Sequence, residues 1–257
     1  GKWTFDEENG TVVNDYLGKF SGTFAGHDGS LPRLDSNQSK FGSSVYFPQN
    51  AWVTTNAYAS ALGIDRANPR TISFWMYAED QNKTGGFQYD PGVYGIGRRF
   101  SNNGVRGIWA IRGFWDTSSY RRFNSSYWGA DHQVFVSEGV RDKWVHIAHI
   151  YTGEYVRVYV NGLQCLSAQQ NGVDTQNTFP LQIGRWTDED ASNSTWIINN
   201  NIHRRSFKGW IDDFRVYDEA LEEFEIQAIY GEGAGDFMVH ASFDIPTIVD
   251  GDPTEGK

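Results

Sequence analysis

The sequence has little cysteine, little positive charge and no long apolar run, and each shortage excludes a class of protein. The single cysteine among 257 residues, Cys165, cannot form an internal disulfide, so we interpret it as a small buried apolar residue. The 22 lysines and arginines against 32 aspartates and glutamates leave a net charge of −10. This charge argues against nucleic-acid binding, which depends on neutralising phosphates. No stretch is apolar enough to cross a bilayer and no signal peptide is recognisable, so we expect no membrane insertion.

Aromatic residues and glycine are abundant instead, and strand-like alternation outnumbers helical patterns. Aromatics make up 16% of the chain, which also has 28 glycines, and this composition favours an antiparallel sandwich or barrel. The clearest segment runs through the alternating stretches Trp144–Tyr151 and Tyr155–Val160 to Asn161 and Gly162, a strong signal for a two-residue hairpin turn. It predicts a three-strand antiparallel meander. The predicted core-facing side chains of the meander are Val156, Val158 and Val160.

Another strand is predicted over Thr71–Tyr77, with apolar side chains alternating along it. The face opposite to these carries Trp75 and Tyr77, which are large for an exposed surface. We therefore expect a neighbouring loop or sheet to cover them. The apolar face consists of Ile72, Phe74 and Met76.

The stretch Gly209–Tyr217 alternates in the same way and contains the most informative mismatch. Alternation places Asp212 on the same face as Phe214 and Val216, where a carboxylate is costly unless it is neutralised. A short helix follows, for which Asp218 is a plausible N-cap. Its predicted apolar side consists of Leu221, Phe224, Ile226, Ala228 and Ile229. We assign residues 1–235 to one domain and expect 236–257 to be a last edge strand or a linker to a following domain.

These segments, in this order, resemble the laminin-G-like jelly rolls of the concanavalin A-like lectin/glucanase superfamily over about residues 3–230. The motifs that carry the resemblance are Trp3–Glu7 with Asn14 and Asp15, Thr71–Trp75, Lys143–Ala148, Val158–Gly162, Leu181–Gly184 and Gly209–Tyr217. The resemblance implies an all-β fold, a two-sheet antiparallel β-sandwich with one concave and one convex sheet and one short C-terminal helix. It also implies that the first and last strands meet. This fold hosts lectins, adhesion modules and glycan-cleaving enzymes, so it does not decide the function.

The resemblance further implies a structural calcium near the seam between the first and last strands. The matching positions are Asp15 and Asp212, with Asp6 as a weaker candidate. Calcium takes six to eight oxygen ligands, so backbone carbonyls would have to complete such a site. The alternative is that an arginine or backbone N–H groups neutralise Asp212.

The segments 79–132 and 185–206 are longer than the resemblance requires, and both combine paired arginines with aromatic residues. Aromatic rings stack on sugar rings, and arginine offers a planar fork for carboxylate or sulfate. These loops therefore predict a glycan-binding face, with an acidic polysaccharide as one candidate ligand. The candidate residues are Trp115, Arg121, Trp128, Trp186, Trp196, His203, Arg204 and Arg205. The alternative is that the arginines only neutralise nearby carboxylates and the tryptophans cover the loop core.

An acidic cluster in the second of these loops could hold a second calcium that bridges to the ligand. Its residues are Asp188, Asp190 and Asn193, but their spacing is loose and lacks the EF-hand pattern. The alternative interpretation is a solvated acidic turn.

Catalytic signatures are missing. Related glucan hydrolases carry a Glu-x-Asp-x-x-Glu strand, because two carboxylates must flank the scissile bond, and no strand here has that spacing. The sequence has neither a Gly-x-Ser-x-Gly motif nor a zinc-type Cys/His set. His146 and His149 are an odd number of residues apart in a strand, so they are predicted to face opposite ways.

Together these features predict a non-catalytic binding or adhesion module that is extracellular or displayed at the cell surface. We expect a glycan or extracellular-matrix ligand, a structural calcium and a place within a larger multidomain chain. A protein–protein adhesion module and a polysaccharide-cleaving enzyme of the same fold are the alternatives.

Overall fold

The structure, a computed structural model, describes residues 1–27, 29–79, 91–97, 107–113, 121–127, 131–186 and 206–235. Within these ranges the chain forms two eight-stranded antiparallel sheets and one helix. No helix in them is long and apolar enough to cross a membrane. The predicted edge strand or linker at 236–257 lies outside the described residues.

Sheet A has the strand order β14-β13-β12-β7-β16-β5-β4, and β1 pairs with β16 beside this path. Its strands are β1 (Lys2–Trp3), β4 (Arg33–Asp35), β5 (Ser44–Phe47), β7 (Arg70–Ala78), β12 (Trp144–Tyr151), β13 (Tyr155–Val160), β14 (Leu163–Gln169) and β16 (Gly209–Tyr217). The meander β12-β13-β14 is confirmed.

Sheet B has the strand order β11-β10-β9-β8-β15-β6-β3-β2. Its strands are β2 (Val12–Asn14), β3 (Ser21–Gly26), β6 (Ala51–Thr55), β8 (Gly92–Gly97), β9 (Ile108–Arg112), β10 (Arg122–Ser126), β11 (His132–Phe135) and β15 (Gln182–Ile183). The two sheets form the predicted all-β sandwich.

One apolar core lies between the sheets, and alternation along each strand decides which residues enter it. Its members from β7 and β13 include the six predicted residues Ile72, Phe74, Met76, Val156, Val158 and Val160, and also Ala78. His149 also lies inside the sandwich, where its ring stacks on Trp109 at 4.0 Å between centroids and bonds to the Tyr94 and Ser125 hydroxyls. Cys165 packs against the core but is only partly buried.

The first and last strands of sheet A meet, as the resemblance implied. β1 pairs with β16, and the N-terminal amine donates to the Val216 carbonyl at 3.0 Å. Of the opening motif Trp3–Glu7, which we interpret from the sequence as a short strand, only Trp3 lies in β1, because Phe5 has φ 60° and turns the backbone out of the sheet. That turn buries the Phe5 ring completely in the core.

A β-bulge in β16 corrects the predicted position of Asp212. Asp212 pairs with Trp75 and Arg215 pairs with Ser73, so β16 has an extra residue relative to β7. Asp213 adopts φ 48° within this bulge. The bulge turns Asp212 to the outer face of sheet A while Phe214 points into the core, so the prediction that they share a face was wrong.

Helix α1 (Glu223–Ala234) lies on the outer face of sheet A. Its N-cap is Glu222, whose N–H donates to the Glu225 carboxylate at 2.8 Å, so the predicted N-cap Asp218 was wrong. Phe224 is 68% exposed and Ala228 is exposed as well, so neither belongs to the buried side. The helix-side contacts are made by Leu221, Ile226 and Ile229 with Ala148 and Ile150.

Candidate functional site

The outer face of sheet B carries polar side chains that are buried. Arg112 on β9, Asn124 and Ser126 on β10, and Gln182 on β15 point away from the core and are each at most 9% exposed. We call these four residues, together with Asp131, the polar face. Buried polar groups require partners, so each of them needs an account.

Arg112 is held in place by two other members of the polar face. Its Nε donates to the Ser126 hydroxyl at 2.8 Å, and its guanidinium forms an ion pair with Asp131. The Ser126 hydroxyl in turn donates to the second Asp131 oxygen at 2.7 Å. Charge-assisted bonds of this kind hold a guanidinium in one orientation.

The Arg112 guanidinium packs over the ring of Trp186. The guanidinium lies 4.4 Å from the ring centroid, and the ring packs on Ile108 and Ala110. A Cβ at Gly92 would come within 2.3 Å of Trp186, so glycine is required for the indole to lie against β8. Trp186 is only 1% exposed. Its predicted role in ligand binding would therefore act through Arg112, which the ring positions.

Gln182 is the one member of the polar face with an unsatisfied atom. It is 8% exposed, and its Oε1 accepts no hydrogen bond. Leaving a buried acceptor unpaired costs about 1–3 kcal/mol, so this oxygen points to a water or a ligand. On the adjacent strand β6, Trp52 is partly exposed, and the Arg185 guanidinium lies 4.1 Å from its ring centroid.

The ends of three long connections meet at one edge of this face. Gly113 donates its N–H to the Pro91 carbonyl at 2.9 Å. Ser206 forms isolated β-bridges with both Gly92 and Arg185. These residues flank 80–90, 114–120 and 187–205, which belong to the segments predicted to bind glycan. The fold thus brings the attachment points of these segments together beside Arg112 and Trp186.

Most of the predicted ligand-binding residues lie outside the described residues: Trp115, Trp128, Asp188, Asp190, Asn193, Trp196, His203, Arg204 and Arg205. Arg121 is described; it is exposed next to β10 and its carbonyl accepts the Val136 N–H at 2.7 Å. The sequence reasoning missed Arg112, Ser126 and Gln182. Alternation in Ile108–Arg112 could have singled out Arg112. Trp109 and Ile111 face the core, so Arg112 is expected on the opposite face of the strand.

The calcium candidates are only partly brought together. Asp212 is fully buried; its Oδ2 accepts the N–H groups of Lys40 and Phe41, both at 2.8 Å, whereas its Oδ1 has no partner. Burial raises the pKa of Asp212 to about 7, against the opposing effect of these two bonds. The alternative interpretation from the sequence, that backbone N–H groups neutralise Asp212, therefore holds for Oδ2 but not for Oδ1.

Asp212 and Asp6 line the same pocket of about 250 Å³, which also contains Asp213 and Glu232. The other lining residues are Lys2, Thr4, Phe41 and Arg215. Lys2 and Arg215 compensate Asp213 at 3.1 and 2.6 Å.

Asp15 is not in this pocket. Both of its carboxylate oxygens accept N–H groups of its own loop, from Phe20 at 2.6 Å and from Leu17 at 3.2 Å. Across the described ranges, no group of three or more His, Cys, Asp or Glu side chains is arranged to hold a metal ion. Asp6 and Asp212 fit a cation site better than Asp15 does.

The two strand histidines face opposite ways, as predicted. His149 lies in the core, and His146 lies on the outer face of sheet A, 1% exposed, with neither ring nitrogen bonded. Burial, followed by the nearby Arg215, lowers the pKa of His146 to about 3. They cannot act together on one substrate.

Comparison with known structures finds the same fold in binding domains. Domain 4 of AbnA, a GH43 extracellular arabinanase from Geobacillus stearothermophilus in complex with arabinotriose, superimposes with a TM-score of 0.60 and 19% identity, covering 89% of this chain and 96% of that one. The binding domain of Paraclostridial Mosquitocidal Protein 1 has a TM-score of 0.57 and 14% identity, covering 90% of this chain and 51% of that one.

A structure of botulinum neurotoxin type C, whose cell entry depends on interaction with two ganglioside molecules, has a TM-score of 0.53 and 14% identity. This chain spans about half of that toxin chain, 50%, at 90% coverage of its own length. Identities this low establish the fold alone. No curated protein sequence is significantly similar to the chain.

A family model matches residues 47–227, most of the sandwich from β5 to helix α1. It is a laminin G model, described as the concanavalin A-like lectin/glucanases superfamily. The chain therefore belongs to the laminin G-like family of the concanavalin A-like lectin/glucanase superfamily.

Proposed function

We propose that the chain is a non-catalytic carbohydrate-binding module that acts outside the cell, with the polar face of sheet B as its ligand site. The observation that carries this proposal is an unsatisfied acceptor, Gln182 Oε1, on a buried, polar sheet face at one edge of which the described ends of three connections meet. Sugar hydroxyls are both donors and acceptors, so they can satisfy such an atom.

Two further observations support this function. The guanidinium of Arg112 is held in one orientation before any ligand arrives, which lowers the entropic cost of binding. The AbnA domain with the same fold comes from an extracellular enzyme and was crystallised with arabinotriose. That protein supplies the first ligand to test, and its setting supports an extracellular location within a larger chain.

The test is titration calorimetry with arabinotriose, linear arabinan and polygalacturonate. Replacing Gln182 by methionine removes the buried acceptor at similar volume, so we expect affinity for the bound glycan to fall about tenfold. Gln169→Met on the exposed β14 edge is the matched control and should bind as the parent does.

The choice of glycan then follows from the three titrations. Binding to polygalacturonate that is lost in Arg204→Ala would assign an acidic polysaccharide; binding to arabinan alone would assign a neutral one. Equal affinity of the Gln182→Met and Gln169→Met variants would remove the polar face as the site, and no binding to any carbohydrate would favour a protein ligand.

The non-catalytic role is supported by the state of Asp131. Glycoside hydrolysis requires two carboxylates on either side of the scissile bond, and Asp131 is already engaged by Arg112 and Ser126. We expect no new reducing ends when the protein is incubated with the polysaccharide that it binds. Their release at a rate proportional to protein concentration would make the chain an enzyme.

A structural calcium at Asp212, with Asp6 as a second ligand, is part of the proposal. Asp212, whose Oδ1 is unpartnered, lines a pocket together with the carboxylates of Asp6, Asp213 and Glu232, and carboxylate oxygens are the ligands that a hard cation prefers. When bound there, calcium would supply positive charge to a buried carboxylate. We expect calcium to raise the stability of EDTA-treated protein, by roughly 3 kcal/mol at a hundredfold excess over its dissociation constant, and Asp212→Asn to abolish the rise. Melting that is the same with EDTA and with calcium would exclude the site.

A further inference from the structure

Four aromatic side chains form a single cross-strand row on the outer face of sheet A. Trp210 on β16 is paired directly with Tyr46 on β5 and with Tyr77 on β7, and Tyr77 is paired with Trp144 on β12. We call Tyr46, Trp210, Tyr77 and Trp144 the aromatic rung. With strands about 4.8 Å apart, the rung extends for about 14 Å across four strands.

The rings contact one another along the whole rung. The centroid distances are 4.6 Å from Tyr46 to Trp210, 5.4 Å from Trp210 to Tyr77 and 6.0 Å from Tyr77 to Trp144. All four are partly exposed. Neighbouring rings at these distances support each other, so the rung is a continuous aromatic surface and not four separate side chains.

The polar tips of Trp210 and Tyr46 are already hydrogen-bonded within the protein. The Trp210 indole N–H donates to Asp35 at 3.0 Å, and the Tyr46 hydroxyl donates to Glu79 at 3.2 Å. These bonds fix the rings in place. What the rung offers to a ligand is therefore ring surface held in a preset arrangement, which reduces the ordering cost of binding.

The charged groups beside the rung balance. Arg33 lies 3.9 Å from the Tyr46 ring centroid, next to Asp35 on the same strand, and Lys208 is 3.3 Å from Glu79. Among the described residues, these two positive and two negative side chains border the Tyr46 and Trp210 end of the rung. A balanced border gives no net attraction for a charged polymer, and it provides both donors and acceptors for hydroxyl groups.

We propose that the aromatic rung is a second ligand surface that binds a neutral glycan chain, with sugar rings stacked on the aromatic side chains. Its length suits several consecutive sugar units, its rings match their apolar faces, and its neutral border matches uncharged hydroxyls. The surface lies on sheet A, across the sandwich from the polar face of sheet B, and does not depend on the function proposed for that face.

Affinity electrophoresis in gels containing soluble β-glucan, xylan, mannan or polygalacturonate tests this surface. Trp144 ends the rung, and Trp144→Ala should weaken retardation by the preferred neutral polysaccharide about tenfold, the loss expected for an aromatic contact residue. Phe224→Ala is the matched control, because Phe224 is an exposed aromatic on helix α1 over the same sheet. Trp144→Phe keeps a ring and should restore most of the binding.

All variants are measured in the parent and in a Gln182→Met background, so that the contribution of each surface to binding can be distinguished. Loss of binding with Trp144→Ala in both backgrounds, at an unchanged thermal midpoint, supports the rung whatever happens to the polar face. Retardation of Trp144→Ala equal to that of Phe224→Ala would refute it. So would a parent protein that no neutral polysaccharide retards, an equal loss with polygalacturonate, or conversion of a dimer into a monomer by Trp144→Ala, which would assign the rung to a second copy.

Discussion

Two adjacent rows on the outer face of sheet A have opposite characters. The aromatic rung is partly exposed, and the polar tips of Trp210 and Tyr46 are paired. The next row on the same face, two residues along each strand, consists of Asp212, Trp75 and His146, which we call the covered rung. These are at most 2% exposed, yet Asp212 Oδ1, Trp75 Nε1 and both His146 nitrogens lack partners.

The contrast arises from what lies on top of each row. Tyr230 of helix α1 stacks on Trp75 at 5.7 Å, and a Cβ at Gly233 would be 2.4 Å from that indole, so the helix lies directly on it. The Lys40 ammonium also lies over the indole, 4.4 Å from its centroid. The covered rung therefore contributes to the stability of the domain, whereas the aromatic rung leaves ring surface for a ligand.

The largest difference between the rows is expected from truncating one aromatic ring in the covered rung. Trp75→Ala would leave a cavity between helix α1 and sheet A, and emptying a buried tryptophan site costs about 3–5 kcal/mol. Urea denaturation monitored by circular dichroism gives the change in the free energy of unfolding. A loss below about 1 kcal/mol would mean that the helix is not held by this contact, and the comparison between the rows would fail.

Lowering the pH should reduce the free energy of unfolding through His146 of the covered rung. The pKa of His146 in the folded protein is about 3, below the usual 6.5, chiefly because of burial. The unfolded chain therefore binds the proton more readily, so stability is complete above pH 6.5 and falls as the pH drops towards 3. At pH 5 this amounts to about 2 kcal/mol. Arg215 adds to the shift and Asp213 opposes it.

The measurement compares urea unfolding at pH 7 and pH 5 for the parent and for His146→Phe. Burial also lowers the pKa of His149 and raises the pKa of Asp212 to about 7, but both groups are present in the parent and in the variant, so the difference between the two proteins isolates His146. The phenylalanine variant should lose about 2 kcal/mol less than the parent between the two pH values. An identical loss in both would show that this imidazole gains a proton without disturbing the helix.

A smaller effect is expected where the chain enters helix α1. The Thr71 hydroxyl accepts the Leu221 N–H at 2.9 Å and donates to the Glu219 carbonyl at 2.9 Å, and Thr71 is fully buried. Thr71→Val keeps the shape but leaves both backbone groups unpaired, which should cost about 1–2 kcal/mol. Ser39→Ala, at an exposed hydroxyl bonded to the Gly42 carbonyl, is the control and should change stability far less.

How much of this arrangement the sequence could predict depended on the length and burial of each strand. The strands β7, β12, β13 and β16 are long and apolar on one face, so alternation identified them. Sequence reasoning missed β3 and β4, because Ser21–Gly26 is rich in small and polar residues and Arg33–Asp35 has one inward-facing side chain. The strand β4 is also a short edge strand, which is held by backbone pairing that leaves little trace in the side-chain pattern.

The candidate surfaces were less predictable for a different physical reason. The positive φ of Asp213 depends on tertiary contacts, so alternation placed Asp212 on the wrong face. Tyr46 and Trp210 are 164 positions apart in sequence and become neighbours only through the register of β5 on β16. Exposed aromatics on Thr71–Tyr77 gave the one sequence signal for this region, and it applied to Trp75, which is covered, and not to Tyr77, which is partly exposed.

The smallest effect on stability should come from the aromatic rung itself. Trp144 is partly exposed and its ring contact is with Tyr77 at 6.0 Å, so Trp144→Ala exposes little new apolar surface and should cost under about 1 kcal/mol. Urea unfolding beside Trp75→Ala makes the comparison within one sheet face. Residues that serve a ligand can be removed at little cost to the fold, whereas residues that hold the helix cannot. A Trp144→Ala loss approaching that of Trp75→Ala would mean that both rows stabilise the domain equally, and exposure alone would no longer distinguish a binding surface here.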